Sequence, residues 1–97
     1  MSYSLHRGAA QDLIDAFRFY RREAGSGVAA RFLGELERVV SLLEEFPEIG
    51  TPTNEHRRSY PLNGFPYSVI YRHIEADIRV LVIRHQSRDP DYGEHRS

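Results

Sequence analysis

The 97-residue chain contains no cysteine, no tryptophan and no lysine. Without cysteine, the protein has neither disulfides nor thiolate metal ligands. Because lysine is absent, all thirteen basic residues are arginines, which keep their proton in proteins and therefore cannot serve as general bases. The longest aliphatic run is Val80–Ile83, which is far too short to span a bilayer.

Other absences narrow the chemistry further. The first seven residues lack the apolar stretch of a secretory signal peptide, so we expect a cytoplasmic protein. The five histidines show none of the short spacings typical of metal ligands, and no metal site is expected. The chain has no P-loop and no glycine-rich dinucleotide fingerprint, so we expect no cofactor.

Length and charge indicate a small globular protein. Ninety-seven residues suit one domain that covers residues 1–97. The net charge of −1 argues against a general nucleic-acid-binding protein. The charge is unevenly distributed, since residues 1–56 carry a net −3 and residues 57–97 a net +2.

The first half of the chain has the periodicity of two helices. Apolar residues recur every three or four positions from Ala10 to Ala24, and again from Ala29 to Leu43. Glycines at positions 25 and 27 separate the two segments, and Pro47 ends the second one. A short break between two amphipathic helices predicts an antiparallel helical hairpin.

The remaining segments are predicted to be strands around a loop at residues 47–56. Asn63-Gly64 and Glu75–Asp77 provide turn signals between the later strands. The order β-α-α-β-β-β predicts an α+β fold, in which the helical hairpin covers one face of a small, mostly antiparallel, twisted sheet. The predicted strands are Tyr3–Arg7, Arg57–Leu62, Tyr67–His73 and Asp77–His85.

Four patches, in this order and at this spacing, resemble the RelE/ParE superfamily, the toxins of type II toxin–antitoxin systems. Each patch alone is a weak signal, but together they cover nearly the whole chain. They are Ala10–Leu13 with Phe19-Tyr20; Ala29 and Phe32-Leu33 with Leu43–Pro47 and Gly50; Phe65–Arg72; and His85–Tyr92 with Arg96.

The resemblance implies one of two activities. RelE-type members are ribosome-dependent endoribonucleases, whereas ParE-type members poison DNA gyrase by binding it and are not known as nucleases. Metal-free RNA cleavage needs an acceptor for the 2′-hydroxyl proton, cations for the charged phosphorane and an acid for the leaving oxygen. The residues that would supply a metal-independent ribonuclease site are His85, Arg88, Tyr92 and Arg72.

The binding activity is favoured over the nuclease. Lysines supply the basic residues of several ribosome-dependent nucleases of the superfamily, and this chain has none. Acidic Asp89, Asp91 and Glu94 also lie among the residues that would be catalytic. A third alternative is a non-toxic interaction module, in which His85 and the arginines have structural roles. The surface predicted to bind the target, gyrase or ribosome-bound mRNA, consists of Arg57, Arg58, Arg72, His85, Arg88, Tyr92 and Arg96.

The resemblance implies a protein partner more strongly than a substrate. A toxin of this kind is held inert by a cognate antitoxin, whose C-terminal segment folds onto it, so we expect a hetero-oligomer. The expected groove lies beside the helical hairpin and a sheet edge. The arginines expected to meet acidic antitoxin residues are Arg18, Arg21, Arg22, Arg31 and Arg38.

Overall fold

The chain forms two helices and one five-stranded sheet in a computed structural model, which describes residues 2–97. The sheet order is β1-β5-β4-β3-β2, and every strand pair is antiparallel except the parallel pair of β1 with β5. The predicted α+β order is confirmed, with one additional short strand. The elements are β1 (Ser2–Leu5), α1 (Arg7–Ala24), α2 (Ser26–Glu45), β2 (Thr51–Pro52), β3 (Arg58–Pro61), β4 (Tyr67–Ile74) and β5 (Asp77–His85).

The bounds of β3 and β4 differ from the predicted ones by at most a single residue at each end, and two other differences are larger. The segment expected to be a loop contains β2, in which Thr51 pairs with Ser59 at the outer edge of the sheet. A two-residue strand has no readable periodicity, and a proline within it is tolerated only because the strand lies at an edge. The first strand ends at Leu5, because His6 caps α1 by accepting a hydrogen bond from Gly8 N on Nδ1 at 2.9 Å.

The main core lies between the helical hairpin and one face of the sheet. Inward-facing residues of α2 are fully buried against alternate residues of β4 and β5, as a half-buried sheet requires. Neither helix in residues 2–97 combines the length and apolarity that a membrane crossing requires. The largest fully buried side chains are those of Tyr71, Phe32, Leu43, Ile78, Leu81, Val39, Val69, Val80 and Val82.

A β-bulge in β5 gives the sheet a second, smaller core on the face away from the helices. Ile70 pairs with Val82 but Tyr71 pairs with Val80, so Leu81 is an extra residue in β5. As a result Leu81 and Val82 pack with Ile70 in a cluster separate from the main core. The residues after β5, 86–97, which we call the tail, contribute Tyr92 to this cluster.

The tail approaches β5 at a glycine. Gly93 adopts a φ of 77°, and a Cβ at this position would come within 2.5 Å of Val82 Cγ2. Both the positive φ and the close contact exclude larger residues. Gly93 therefore allows the tail to lie directly on the bulged strand.

Candidate functional site

A buried carboxylate, Asp12 of α1, joins three parts of the fold. The residue is 8% exposed and accepts hydrogen bonds from Ile83 N at 3.1 Å, the Tyr92 hydroxyl at 2.6 Å and Arg96 Nη1 at 2.8 Å. These donors belong to β5 and to the tail. One side chain therefore fixes the position of the tail relative to both α1 and the sheet.

Asp12 and Arg96 also complete the edge of β5 where β1 stops. The pairing of β1 with β5 ends at Leu5 and Val80, which would leave the next backbone groups of β5 without partners. Instead, Leu81 O accepts a hydrogen bond from Arg96 Nη1 at 3.0 Å, and Ile83 N donates to Asp12. The ion pair thus replaces the missing part of a neighbouring strand.

Arg96 is one of three arginines that were predicted to bind the target but hold backbone carbonyls of this chain, and Arg57 and Arg58 are the other two. Arg57 is 6% exposed and donates to Gly93 O at 3.1 Å, and also to the carbonyls of Glu94 and Arg96. Arg58 Nη1 donates to the carbonyls of residues 48 and 50, at 3.0 and 2.9 Å, and so holds the loop before β2. Both guanidinium groups are engaged inside the fold.

Three other predicted site residues come together in one open cleft of about 360 Å³ between α1 and the tail. We call it the tail cleft. The guanidinium carbon of Arg88 lies 4.6 Å from the centroid of the Tyr92 ring, which is a cation–π contact. The lining of the tail cleft includes Phe19, Tyr67, His85, Ser87, Arg88 and Tyr92.

The hydrogen bonds of His85 identify which ring nitrogen carries the proton. Ser87 N lies 2.9 Å from Nδ1, and a backbone N–H can only donate, so Nδ1 has no proton. The neutral ring therefore carries its proton on Nε2. In this tautomer Nε2–H is a hydrogen-bond donor, and the Nδ1 lone pair is held by the amide of Ser87.

The cleft combines aromatic walls with hydrogen-bond donors. Burial raises the pKa of Tyr67, so its hydroxyl keeps its proton at neutral pH. The Tyr67 ring meets His85 edge to face, with centroids 4.9 Å apart. Arg88 adds a positive charge, but the carboxylate of Asp15 also lines the cleft, so the two charges offset each other. Such a site suits a partner group that is apolar or aromatic and carries a hydrogen-bond acceptor beside it.

Arg72, the remaining predicted catalytic residue, lies elsewhere. It alternates with Tyr71 along β4 and faces away from the helices, opposite Arg79 of β5. The tail cleft contains Tyr67, which has the opposite orientation on the same strand. Within residues 2–97, no group of three or more histidine, aspartate or glutamate side chains could hold a metal ion.

The arginines predicted to bind the antitoxin are spread over the exposed sides of the two helices. Arg22 pairs with Glu23 at 3.0 Å and Arg38 with Glu35 at 2.7 Å. An apolar groove of about 430 Å³ does lie beside the hairpin and the edge strand β1, as expected, but none of the five arginines lines it. This β1 groove is lined mainly by Tyr3, Leu5, Leu13, Leu33, Leu36 and Val40.

No role was predicted for Asp12 from the sequence, although a signal for it was present. Ala9, Asp12 and Ala16 follow one another at helical spacing, so the carboxylate interrupts the apolar stripe of α1. A charged residue within such a stripe is buried only when it is paired. Its partners are in the tail, far away in sequence, and no local pattern identifies them.

Comparison with known proteins agrees with this fold. Residues 3–90 match the sequence model of a family described as the ParE toxin of the type II toxin–antitoxin system parDE. Toxin ParE2 of Mycobacterium tuberculosis is 28% identical over 90 residues, which are 93% of this chain and 86% of that protein. Toxin ParE1 of Caulobacter vibrioides is 26% identical over 85 residues, or 88% of each chain.

A solved structure is similar as well. A chain from a structure described as the chromosomal ParDE TA system from P. aeruginosa aligns with a TM-score of 0.76 and 25% identity, covering 88% of this chain and 95% of that chain. The family match spans nearly the whole sequence, and the resemblance predicted from the four patches is confirmed. This chain belongs to the ParE toxin family of type II toxin–antitoxin systems.

Proposed function

We propose that this chain inhibits growth in the cytoplasm by binding a macromolecular target, with DNA gyrase as the expected one, and that a cognate antitoxin neutralises it. Membership of the ParE family supports the toxin role. The tail cleft, with His85, Arg88 and Tyr92, is the proposed contact surface for the target.

The state of His85 is the observation that favours binding over RNA cleavage. Ser87 N holds the only lone pair of the neutral ring, on Nδ1, so His85 would have to give up this hydrogen bond in order to take the 2′-hydroxyl proton of a substrate. No lysine is present to replace it. As a binding residue, the same histidine needs only its Nε2 proton, which it has.

The ribonuclease alternative would use residues that the fold separates. Arg72 faces away from the tail cleft, so the four residues predicted to be catalytic do not share one site. The Tyr92 hydroxyl donates to Asp12, which limits its use as a general acid. A non-toxic interaction module would have the same fold, but its expression would leave growth unchanged.

The β1 groove is the proposed site for the antitoxin. Its aliphatic lining matches a segment that buries apolar side chains as it folds onto a partner. The groove is adjacent to the exposed edge of β1, which is the first strand of the sheet. The five helix arginines remain a prediction for further, electrostatic contacts with this partner.

Induction of the chain in a bacterial host, alone and with the product of the adjacent small gene, tests the proposal. We expect growth arrest from the chain alone, recovery on co-expression, and co-elution of both proteins from gel filtration. Arg88→Ala should weaken the arrest, whereas Arg22→Ala, which removes an exposed arginine of α1, should not. Unimpaired growth, or separate elution of the two proteins, would contradict the proposal.

A further inference from the structure

Arg72 of β4 and Arg79 of β5 lie directly opposite each other on the face of the sheet away from the helices. Like charges at opposed positions of neighbouring strands destabilise a sheet. No aspartate or glutamate of residues 2–97 lies within ion-pair distance of either guanidinium group. Arg79 has a single neutral contact, from Nη1 to Ser4 Oγ at 3.3 Å.

This arrangement gives the fold no stabilisation of its own. The other arginines near the sheet are engaged, since Arg57, Arg58 and Arg84 donate to backbone carbonyls and Arg96 pairs with Asp12. Two opposed like charges destabilise the sheet, and no contact within the chain compensates for them. Such an uncompensated arrangement marks a functional surface. The paired charges therefore point to a ligand outside the chain.

The β1 strand connects this arginine pair with the β1 groove. Tyr3 and Leu5 face the groove on the helix side, and Ser4 between them faces the opposite side, where it contacts Arg79. Because β1 is an edge strand, nothing in residues 2–97 pairs with its outer side. A segment that leaves the groove over this edge reaches Arg79 within about one strand spacing, roughly 5 Å.

The neighbouring charges favour a short acidic segment over a nucleic acid. Glu75 and Asp77, both exposed, lie in and next to the turn that joins the two strands. Three further acids line the cleft that contains Arg72: Glu55, Asp91 and Glu94. A continuous phosphate backbone, whose binding depends on many cations, would meet all of these acids, whereas a short acidic segment needs to reach only the two arginines. Each guanidinium group can bind a carboxylate bidentately. Burial is the main cause of the lowered pKa of His6, and Arg79 and other nearby cations lower this pKa further, as expected in a positive field.

We propose that Arg72 and Arg79 bind carboxylate side chains of the antitoxin segment that continues past the β1 groove. This inference rests on the proposed function, because it assumes that the groove holds the antitoxin. The recognised segment then has apolar side chains for the groove, followed by aspartate or glutamate residues for the arginine pair.

Affinity measurements with charge-reversed variants test the inference. The probe is the full-length product of the adjacent small gene, titrated into the purified chain at low and at physiological salt. For Arg72→Glu/Arg79→Glu we expect the Kd to rise at least about tenfold at low salt, with a smaller effect of salt than for the wild type. The matched control compares single variants: Arg7→Glu makes the same change of charge as Arg79→Glu, at an exposed residue of α1 that belongs to no predicted site, and should change the Kd less than threefold.

A second variant separates a binding effect from misfolding. Arg79→Gln removes one charge of the repelling pair, so it should be at least as stable as the wild type, and it should still raise the Kd. Wild-type affinity in both variants, or a larger loss in the control, would overturn the inference and leave the proposed function standing. If the wild-type chain itself did not bind the probe, the proposed function would fail first. If the variants no longer arrested growth but kept the wild-type Kd for the probe, the inference would be overturned, and the arginine pair would contact the target instead.

Discussion

Asp12 and Arg96 form an ion pair across 84 residues of sequence, with Nη1 and Oδ2 2.8 Å apart. Their side chains are only 7% and 10% exposed, so water screens the pair weakly. The same two side chains bind the backbone of β5 and the hydroxyl of Tyr92. The position of the tail, and hence the shape of the tail cleft, depends on this contact.

Removal of one partner of this pair should destabilise the protein strongly. Arg96→Ala leaves a buried carboxylate without its cation, and such changes cost about 3–5 kcal/mol. Urea unfolding monitored by circular dichroism measures the loss. Arg22→Ala, which breaks an ion pair whose side chains are 67% and 55% exposed, is the control and should change stability by less than about 1 kcal/mol. Equal effects of the two variants would show that the tail is not held by Asp12.

The hydroxyl of Tyr71 should contribute to stability through the loop before β2. It donates to Pro47 O at 2.7 Å and accepts from Gly50 N at 3.1 Å, in a position shielded from solvent. Tyr71→Phe leaves the Gly50 N–H without a partner, which should cost about 1–3 kcal/mol. Tyr3→Phe, at an exposed position, serves as the control in the same unfolding assay. A stability unchanged by Tyr71→Phe would contradict the assigned hydrogen bonds.

Stability should fall in alkaline solution. Burial raises the pKa values of Tyr20, Tyr67 and Tyr71 above the ordinary value of 10.0. Above about pH 10 the unfolded chain releases protons that the folded chain retains, so the free energy of unfolding decreases as the pH rises. Thermal unfolding between about pH 9 and 11, with absorbance titration of tyrosine ionisation, measures this. Tyrosines that all ionise near pH 10 in the folded state would contradict it.

Stability should also depend on His6 in mildly acidic solution. Burial, and then Arg79 and neighbouring cations, lower the pKa of His6 below 6.5. As the pH falls through the range just below 6.5, the unfolded chain binds a proton that the folded chain does not, so stability is lost. His6→Asn keeps an acceptor for Gly8 N but does not titrate. The variant should therefore lose less stability than the wild type between about pH 7 and 5, and an equal loss would contradict the assignment.

Local patterns predicted most of the fold. The spacing of apolar residues predicted both helices and the buried side of α2, whereas the buried residues of α1 each lie one position before the predicted stripe: Ala9, Asp12 and Ala16. The bounds Asp77–His85 of the last strand were predicted as observed. The bulge at Leu81 was not predicted, because an all-apolar strand has no alternation in which an inserted residue would be visible. The short strand β2 depends on pairing with β3, which is a tertiary contact.

The site was predicted less completely than the fold. The C-terminal signature identified His85, Arg88 and Tyr92, which the tail cleft brings together. The sequence did not distinguish exposed arginines from those that bind backbone carbonyls and carboxylates of this chain, such as Arg57 and Arg96. That distinction depends on which carbonyls and carboxylates surround each guanidinium group, and these groups come from distant parts of the sequence.

The most direct test of the central claim is the supercoiling activity of purified gyrase in the presence of this chain. We expect the chain to inhibit gyrase. His85→Gln should preserve this inhibition within a few fold, because a side-chain N–H donor remains, whereas Arg88→Glu should abolish it. Cleavage of ribosome-bound mRNA, measured alongside, should be absent. Full gyrase activity together with mRNA cleavage that His85→Gln lowers by orders of magnitude would contradict the account.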